Sequence, residues 1–308
     1  MRQKRFSAVL AAFLVTASSA SRASEALTIC LNEDAPPYSL HSDSGGSGFD
    51  LAVAGALARH LGRTLAVQWF QSKLDAESSG ALEANALLSD GHCLLVGGYP
   101  LTEDGLGKPA PETARLPGFD GAKPVDRRRR IAMGTLQASK PYHFSPLTVI
   151  LGGAAAAKPV HSLTDLDGMK IGVEGGTLSD AILMIYGDGR LIDHITHFLP
   201  GRGQIWPGLE RGDFDATLAP LHRFDAYRAG HPETKLAASG YFHPVGFNLG
   251  FAGLARDAAL LAEVDAALAT MLDSGEIAGL AAPAGMTYLA PRAPDIRKHN
   301  LISDLKGP

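Results

Sequence analysis

The segment KIGVEGGTLSDAIL, Lys170 to Leu183, carries residue types suited to holding an anion. A short apolar run meets Gly175 and Gly176, then Thr177, then residues at helical apolar spacing, which predicts a strand, a tight turn and a helix start. Such a turn aims unpaired backbone N–H groups, and the positive end of a helix dipole, at whatever lies above it. No Gly-Lys-Ser/Thr follows the glycines, so the turn lacks the Walker phosphate-loop pattern. The plain alternative is a Gly-Gly turn that packs a helix on a sheet.

Other reactive residue types give weaker signals. His194 and His197 form a His-x-x-His beside Asp193, but a strand-like context turns the two rings to opposite faces, so no metal site is expected there. No Gly-x-Ser-x-Gly elbow occurs, since GGSGF has the wrong spacing, and neither cysteine sits in a Cys-x-x-Cys redox pair. Glu174 or Glu33 could act as a general acid only if buried in a cleft. Catalysis is not expected, and no cofactor is implied.

The amino terminus decides the compartment. Arg2, Lys4 and Arg5 precede an apolar stretch from about Phe6 to Val15, and Ser21 and Ala23 suit a cleavage site. This is a secretory signal peptide over residues 1–23, too short in its apolar part to span a bilayer, and it points to the periplasm. Its removal leaves 24 basic against 32 acidic side chains, about −8, which argues against a nucleic-acid partner. In an oxidising compartment Cys30 and Cys93 are expected as a disulfide, with two separate buried thiols as the alternative.

The elements that must position these residues alternate between strand and helix. ALTIC, TLAVQWF and CLLVGGYP read as strands, and FDLAVAGALARHLG and GALEANALLSDG as helices, a βαβαβ start. Residues 101–126 carry prolines without apolar periodicity and read as a long surface loop. A second α/β unit opens at SLTDLDGMKIGVEGGT, GFNLGFAGL is a strand, and DAALLAEVDAALATMLDSGEIAGL is helical. The tail after Pro291 reads as peripheral. The expected architecture is α/β with two lobes: residues 24–152 in lobe one, 153–244 in lobe two, 245–290 returning to lobe one, and 291–308 as the tail.

In order and spacing, PPYS, GFDLAVAGALARHLG, SKPYHFS, LDGMKIGVEGGT, LERGDFDATLAP and DSGEIAGL resemble the extracytoplasmic solute-binding proteins of family 3, the amino-acid-type receptors of ABC importers. The resemblance covers roughly residues 27–285. It implies a type II periplasmic binding protein fold, two lobes joined by two crossing strands, closing on a small solute and docking on a membrane ABC permease as a monomer.

The resemblance also implies site residues. Gly176 and Thr177 would bind a ligand carboxylate, and an arginine of lobe one would complete the clamp. The family places that arginine shortly after a Thr; here Thr102 is followed by the long loop, which leaves Arg127–Arg130, with Arg129 or Arg130 favoured over a merely solvated basic turn. Tyr38, Phe49 and Tyr99 are aromatic candidates for stacking on the solute, each with core packing as its alternative. The family's ammonium-binding Asp is replaced by Pro220, which offers neither charge nor N–H, so a standard α-amino acid would lose a contact worth about 1.5–3 kcal/mol. Asp215 is expected to support its strand end. Ala-Pro-Leu at this place and the paired cysteines are also similar to binding proteins associated with periplasmic quinoprotein (methanol) dehydrogenases, which would make the partner a dehydrogenase.

Overall fold

The computed structural model describes residues 26–72, 79–298 and residue 305. The expected signal peptide lies outside the described residues. None of the described helices is long and apolar enough to cross a membrane.

The chain enters through β1 (Ala26–Asn32), a small meander of β2 (Asp34–Ala35), β3 (Ser39–Ser42) and β4 (Gly45–Ser47), and helix α1 (Phe49–His60). Strand β5 (Thr64–Gln71), helix α2 (Gly80–Ser89) and strand β6 (Leu95–Pro100) complete the parallel unit that the apolar periodicity predicts. Period two sorts β1 between two cores. Leu27, Ile29 and Leu31 face α1 and the carboxyl-terminal helices, while Cys30 faces α2 with Leu87, Leu88 and Val96. Both faces being covered explains the nearly continuous apolar run of this strand. Cys30 and Cys93 are bonded, with Cα atoms 5.6 Å apart.

Residues 101–126 are more ordered than a surface loop. They hold β7 (Thr113–Arg115) and β8 (Gly118–Phe119), and β7 pairs with β9 (Arg130–Ala132). Ala114, Leu116 and Ile131 are buried against α2, an anchor too short to show as periodicity. Strand β10 (Leu136–Ala138) then joins the main sheet.

Strand β11 (His143–Leu151) carries the chain across. Lobe two contains β12 (Ile171–Glu174), α3 (Leu178–Ile185), β13 (Ile195–Phe198), α4 (Ile205–Arg211), β14 (Ala216–Pro220) and α5 (Leu221–Gly230). The 18-residue β15 (Ala237–Leu254) returns, and α6 (Ala258–Asp273) and α7 (Glu276–Ala281) pack on α1. One sheet runs through the molecule in the order β13-β12-β14-β11-β15-β6-β1-β5-β8, with β10 beside β15. The antiparallel pair β11 and β15, registered from His143 opposite Leu249 to Leu151 opposite Ala237, is the crossing. Leu147, Val149 and Leu151 already pack in the lobe-two core with Ile171, Val173 and Leu218.

The tail corrects the sequence reading. Rather than lying apart, residues 289–297 are stitched to the crossing strands and to the segment that follows β6. Phe144 N–H donates to the Leu289 carbonyl, the Arg297 N–H to the Leu101 carbonyl, and the Glu103 N–H to the Arg297 carbonyl. Asn248, almost fully buried, binds the backbone of Arg292, Pro294 and Asp295. A segment rich in proline and charge hides such docking, because its bonds are made by backbone groups that every sequence has.

Candidate functional site

The segments that follow β1 in lobe one and β14 in lobe two meet at the crossing strands. Tyr38 donates its phenol hydrogen to Ser145 Oγ at 2.9 Å, and Ser145 Oγ lies 3.3 Å from His222 Nδ1. The Tyr38 ring sits 4.6 Å from the His222 ring and 5.8 Å from that of His143. Tyr38 is set by two backbone bonds, its N–H to Ala35 and its carbonyl to the Asp50 N–H, which holds the PPYS loop over the start of α1. His222 stands in the first turn of α5, two residues after the Pro220 that ends β14.

Burial sets the charge state here. It holds the His222 imidazole down to about 3, helped by the nearby Arg223 and His143, and holds His143 down to about 4. Both rings are therefore neutral at pH 7. The junction itself offers neutral donors and acceptors from both lobes, with the Arg223 guanidinium close enough to act on His222.

Beneath it lies a buried carboxylate. Asp50 Oδ1 accepts from the Tyr142 hydroxyl at 2.8 Å, and that hydroxyl accepts from the Gly98 N–H at 2.7 Å. Gly98 has φ +64°, and a Cβ there would stand 2.3 Å from Asp50 Oδ2, so the approach needs glycine. Burial pushes the Asp50 pKa up to about 7, from 3.8, against the opposing Tyr142 bond. The folded state thus binds the proton more tightly than the unfolded one. The stability this gives is full below pH about 4 and is lost as pH rises through about 7. His143 and His222 act in the opposite direction, so the comparison must be between wild type and Asp50→Asn. The stability of the variant relative to wild type should climb between pH 4 and pH 7 in urea unfolding, approaching ~1.4 kcal/mol per pH unit. A difference that is flat with pH would show that Asp50 is ionised throughout.

In lobe two the GVEGGT turn forms as the sequence predicts, but its anion is internal. The Gly176 N–H donates to Asp180 Oδ2 at 2.7 Å, and His197 Nε2 lies 2.8 Å from Asp180 Oδ1. Thr177 caps α3, accepting from the Asp180 N–H at 3.2 Å and donating to the Glu174 carbonyl at 2.8 Å. Glu174, at the carboxyl end of β12, accepts from Arg223 Nη1 at 2.9 Å and from the Gly201 N–H at 3.2 Å. Asp215 supports its strand end, as expected, accepting from the Lys170 N–H at 2.9 Å.

The remaining expected site residues stand apart. Phe49 is wholly buried in the lobe-one core against Tyr142, His143 and Tyr288. Tyr99 is buried on the α2 side, its hydroxyl bonded to the Gly105 carbonyl. Arg129 grips Asp90 with both terminal nitrogens, at 2.8 and 3.1 Å. Asp90 ends α2, just ahead of β6, at the amino ends of the parallel strands, the end away from where ligands bind in such sheets. Arg130 opens β9, opposite Arg115 and exposed. The arginine next to His222 is Arg223, bound to Glu174. Sequence reasoning missed Ser145, His222 and Arg223 because single polar residues at strand and helix ends leave no pattern; only the neighbouring Pro220 marked the place.

No family model and no curated protein matches the sequence. Solved structures do match the fold. The second substrate-binding domain of Lactococcus lactis GlnP, in an open conformation, is 18% identical over 83% of this chain and 93% of that one, with a TM-score of 0.60. The unliganded, open L-cystine receptor of Neisseria gonorrhoeae is 16% identical over 87% and 96%, also at 0.60. A histidine kinase sensor domain similar to periplasmic binding proteins is 16% identical over 87% and 99%, at 0.52. These similarities, with the two crossing strands and the two cores they join, give the chain the two-lobed fold of the type II periplasmic binding proteins.

Proposed function

We propose that this protein is an extracytoplasmic receptor, similar to the family 3 solute-binding proteins, that captures a small carboxylate-bearing organic solute between its lobes and hands it to a membrane ABC importer. The observation that carries the reading is the junction of Tyr38 from lobe one, Ser145 from the crossing and His222 from lobe two. A ligand touching all three gains most when the lobes are together, so binding selects the closed arrangement. The structural neighbours named for substrates or solutes, GlnP and the cystine receptor, have the same two-lobe arrangement.

The solute class follows from the charges. His143 and His222 are neutral, and Pro220 stands where an ammonium-binding acid is expected. Arg223, half exposed and held by Glu174, is the cation placed to meet a carboxylate bidentately. Gly176 and Thr177 contribute through the turn only when a ligand carboxylate takes the place of Asp180. Buried area on both lobes, rather than chemistry on the solute, supplies the affinity, and the protein is read as a binder and not an enzyme.

Thermal unfolding of residues 24–308 against amino acids, amine-free carboxylates, alcohols, sugars and quinone cofactors tests this. A ligand at about 100 times its dissociation constant adds about 2.7 kcal/mol of stability. The expected result is a shift with an amine-free carboxylate, reduced at least ~10-fold in affinity by Arg223→Gln and by His222→Ala. A shift with a standard α-amino acid would overturn the solute class. Silence across the panel would overturn solute capture and favour a role beside a dehydrogenase.

A further inference from the structure

We propose that Glu33, His41 and Asp120 form a binding site for a divalent transition-metal ion of the zinc class on the rim of lobe one, independent of the solute reading above. One ligand atom from each of the three residues lies within 4.8 Å of the other two. They come from three separate segments: the link after β1, strand β3, and the turn after β8.

All three segments are tied to the end of β5. The Glu33 N–H donates to the Phe70 carbonyl, and the Glu33 carbonyl accepts from the His41 N–H, both at 2.8 Å. The Asp120 N–H donates to the Trp69 carbonyl at 3.1 Å, and the Asp120 carbonyl accepts from Gln68 Nε2, also at 3.1 Å. The His41 ring lies flat on Trp69, 4.7 Å between centroids and 4° between planes, so its orientation is fixed by packing. Ligands held in this way on a strand end lose little freedom when they bind an ion.

The spacing fits an ion better than it fits the side chains alone. His41 Nδ1 is 3.7 Å from Asp120 Oδ2, too long for a hydrogen bond. Two ligands at ~2.0–2.2 Å from a tetrahedral zinc stand ~3.4 Å apart, which small rotations of the carboxylates reach. Two carboxylates this close repel one another, and a divalent cation between them offsets that. One imidazole with two carboxylates is a donor set that prefers zinc-class ions to magnesium. Three protein ligands leave a further coordination position for water.

The test is equilibrium dialysis of the chelator-stripped, mature protein against zinc, with bound metal measured by mass spectrometry and magnesium run in parallel. The expected result is one zinc per chain at micromolar concentration, with affinity reduced at least ~10-fold in Glu33→Gln, Asp120→Asn and His41→Ala while thermal unfolding of the apo forms is retained. The two carboxylate variants carry the test if loss of the His41–Trp69 stack disturbs folding. In a Trp206→Phe background, zinc should also change the fluorescence of Trp69, which leaves a single tryptophan to report. Absence of zinc binding at 100 µM (~10⁻⁴ M, far above structural zinc affinities) would overturn the proposal. Unchanged affinity in all three variants would do the same, placing the ion elsewhere, for example at His197 and Asp180.

Discussion

Cys30→Ala with Cys93→Ala should lower the unfolding free energy by about 4 kcal/mol, read as a lower urea midpoint. The bond closes a loop with a sequence separation of 63 residues. On the chain-entropy relation, opening a loop of that length restores ~4 kcal/mol of freedom to the unfolded chain. The native state gives little back. Both sulfurs are buried between the sheet and α2, with Leu87, Leu88 and Val96, and alanine removes apolar volume there without adding polarity. The bond also sits on the parallel pair of β1 with β6, where Cys30 lies opposite Val96. That pair joins β1 to the strand beside the crossing. Reduced wild-type protein should therefore resemble the double variant, and a midpoint unchanged in both would show that the loop is held closed by packing alone.

Asn248→Ala is the second large effect. Its Nδ2 reaches the carbonyls of Arg292, Pro294 and Asp295 at 2.7, 3.2 and 3.1 Å, and its Oδ1 accepts the Arg292 N–H at 3.0 Å. Truncation removes this set of bonds from an almost fully buried position and leaves backbone groups without their partner. The tail residues that carry these groups are themselves exposed, so the expected loss is that of the hydrogen bonds, about 0.5–1.5 kcal/mol each. The consequence is local as well as global. Arg292 lies over the Phe144 ring at 4.3 Å, and the tail covers the crossing strands. Limited proteolysis should therefore cut the variant within residues 290–298 well before wild type, with the lobes intact. Equal cleavage rates would show that Arg292 and Arg297 hold the tail without Asn248.

What was legible in the residues is instructive at particular places. Helix α1 announces itself because burial on a defined face repeats with the period of the backbone, and strand β1 because a short run is apolar on both faces. The Gly-Gly-Thr turn was equally clear, since left-handed φ at Gly176 and capping by Thr177 are local requirements. What the turn holds was not. Asp180 is only four residues from Gly176, yet nothing in spacing distinguishes an acid that fills the turn from one that faces solvent. Arg129 illustrates the same gap. A run of four arginines advertises charge, and only the folded position of Asp90 decides that one of them pins the end of a helix away from the crossing.

The sequence by itself therefore determined the α/β alternation, the two units, and the pairing partners available to Cys30 and Cys93. These are set by short-range periodicity, by single-residue backbone demands, or by the mere identity of a side chain. The tertiary structure decided the rest. It brought Tyr38, Ser145 and His222 into one junction across more than 180 residues of chain, neutralised two histidines by burying them, and turned a polar tail into a strap over the crossing strands. Contacts of this kind depend on where separated segments end in space, and desolvation depends on everything packed around a group; neither quantity is a property of any local stretch of sequence.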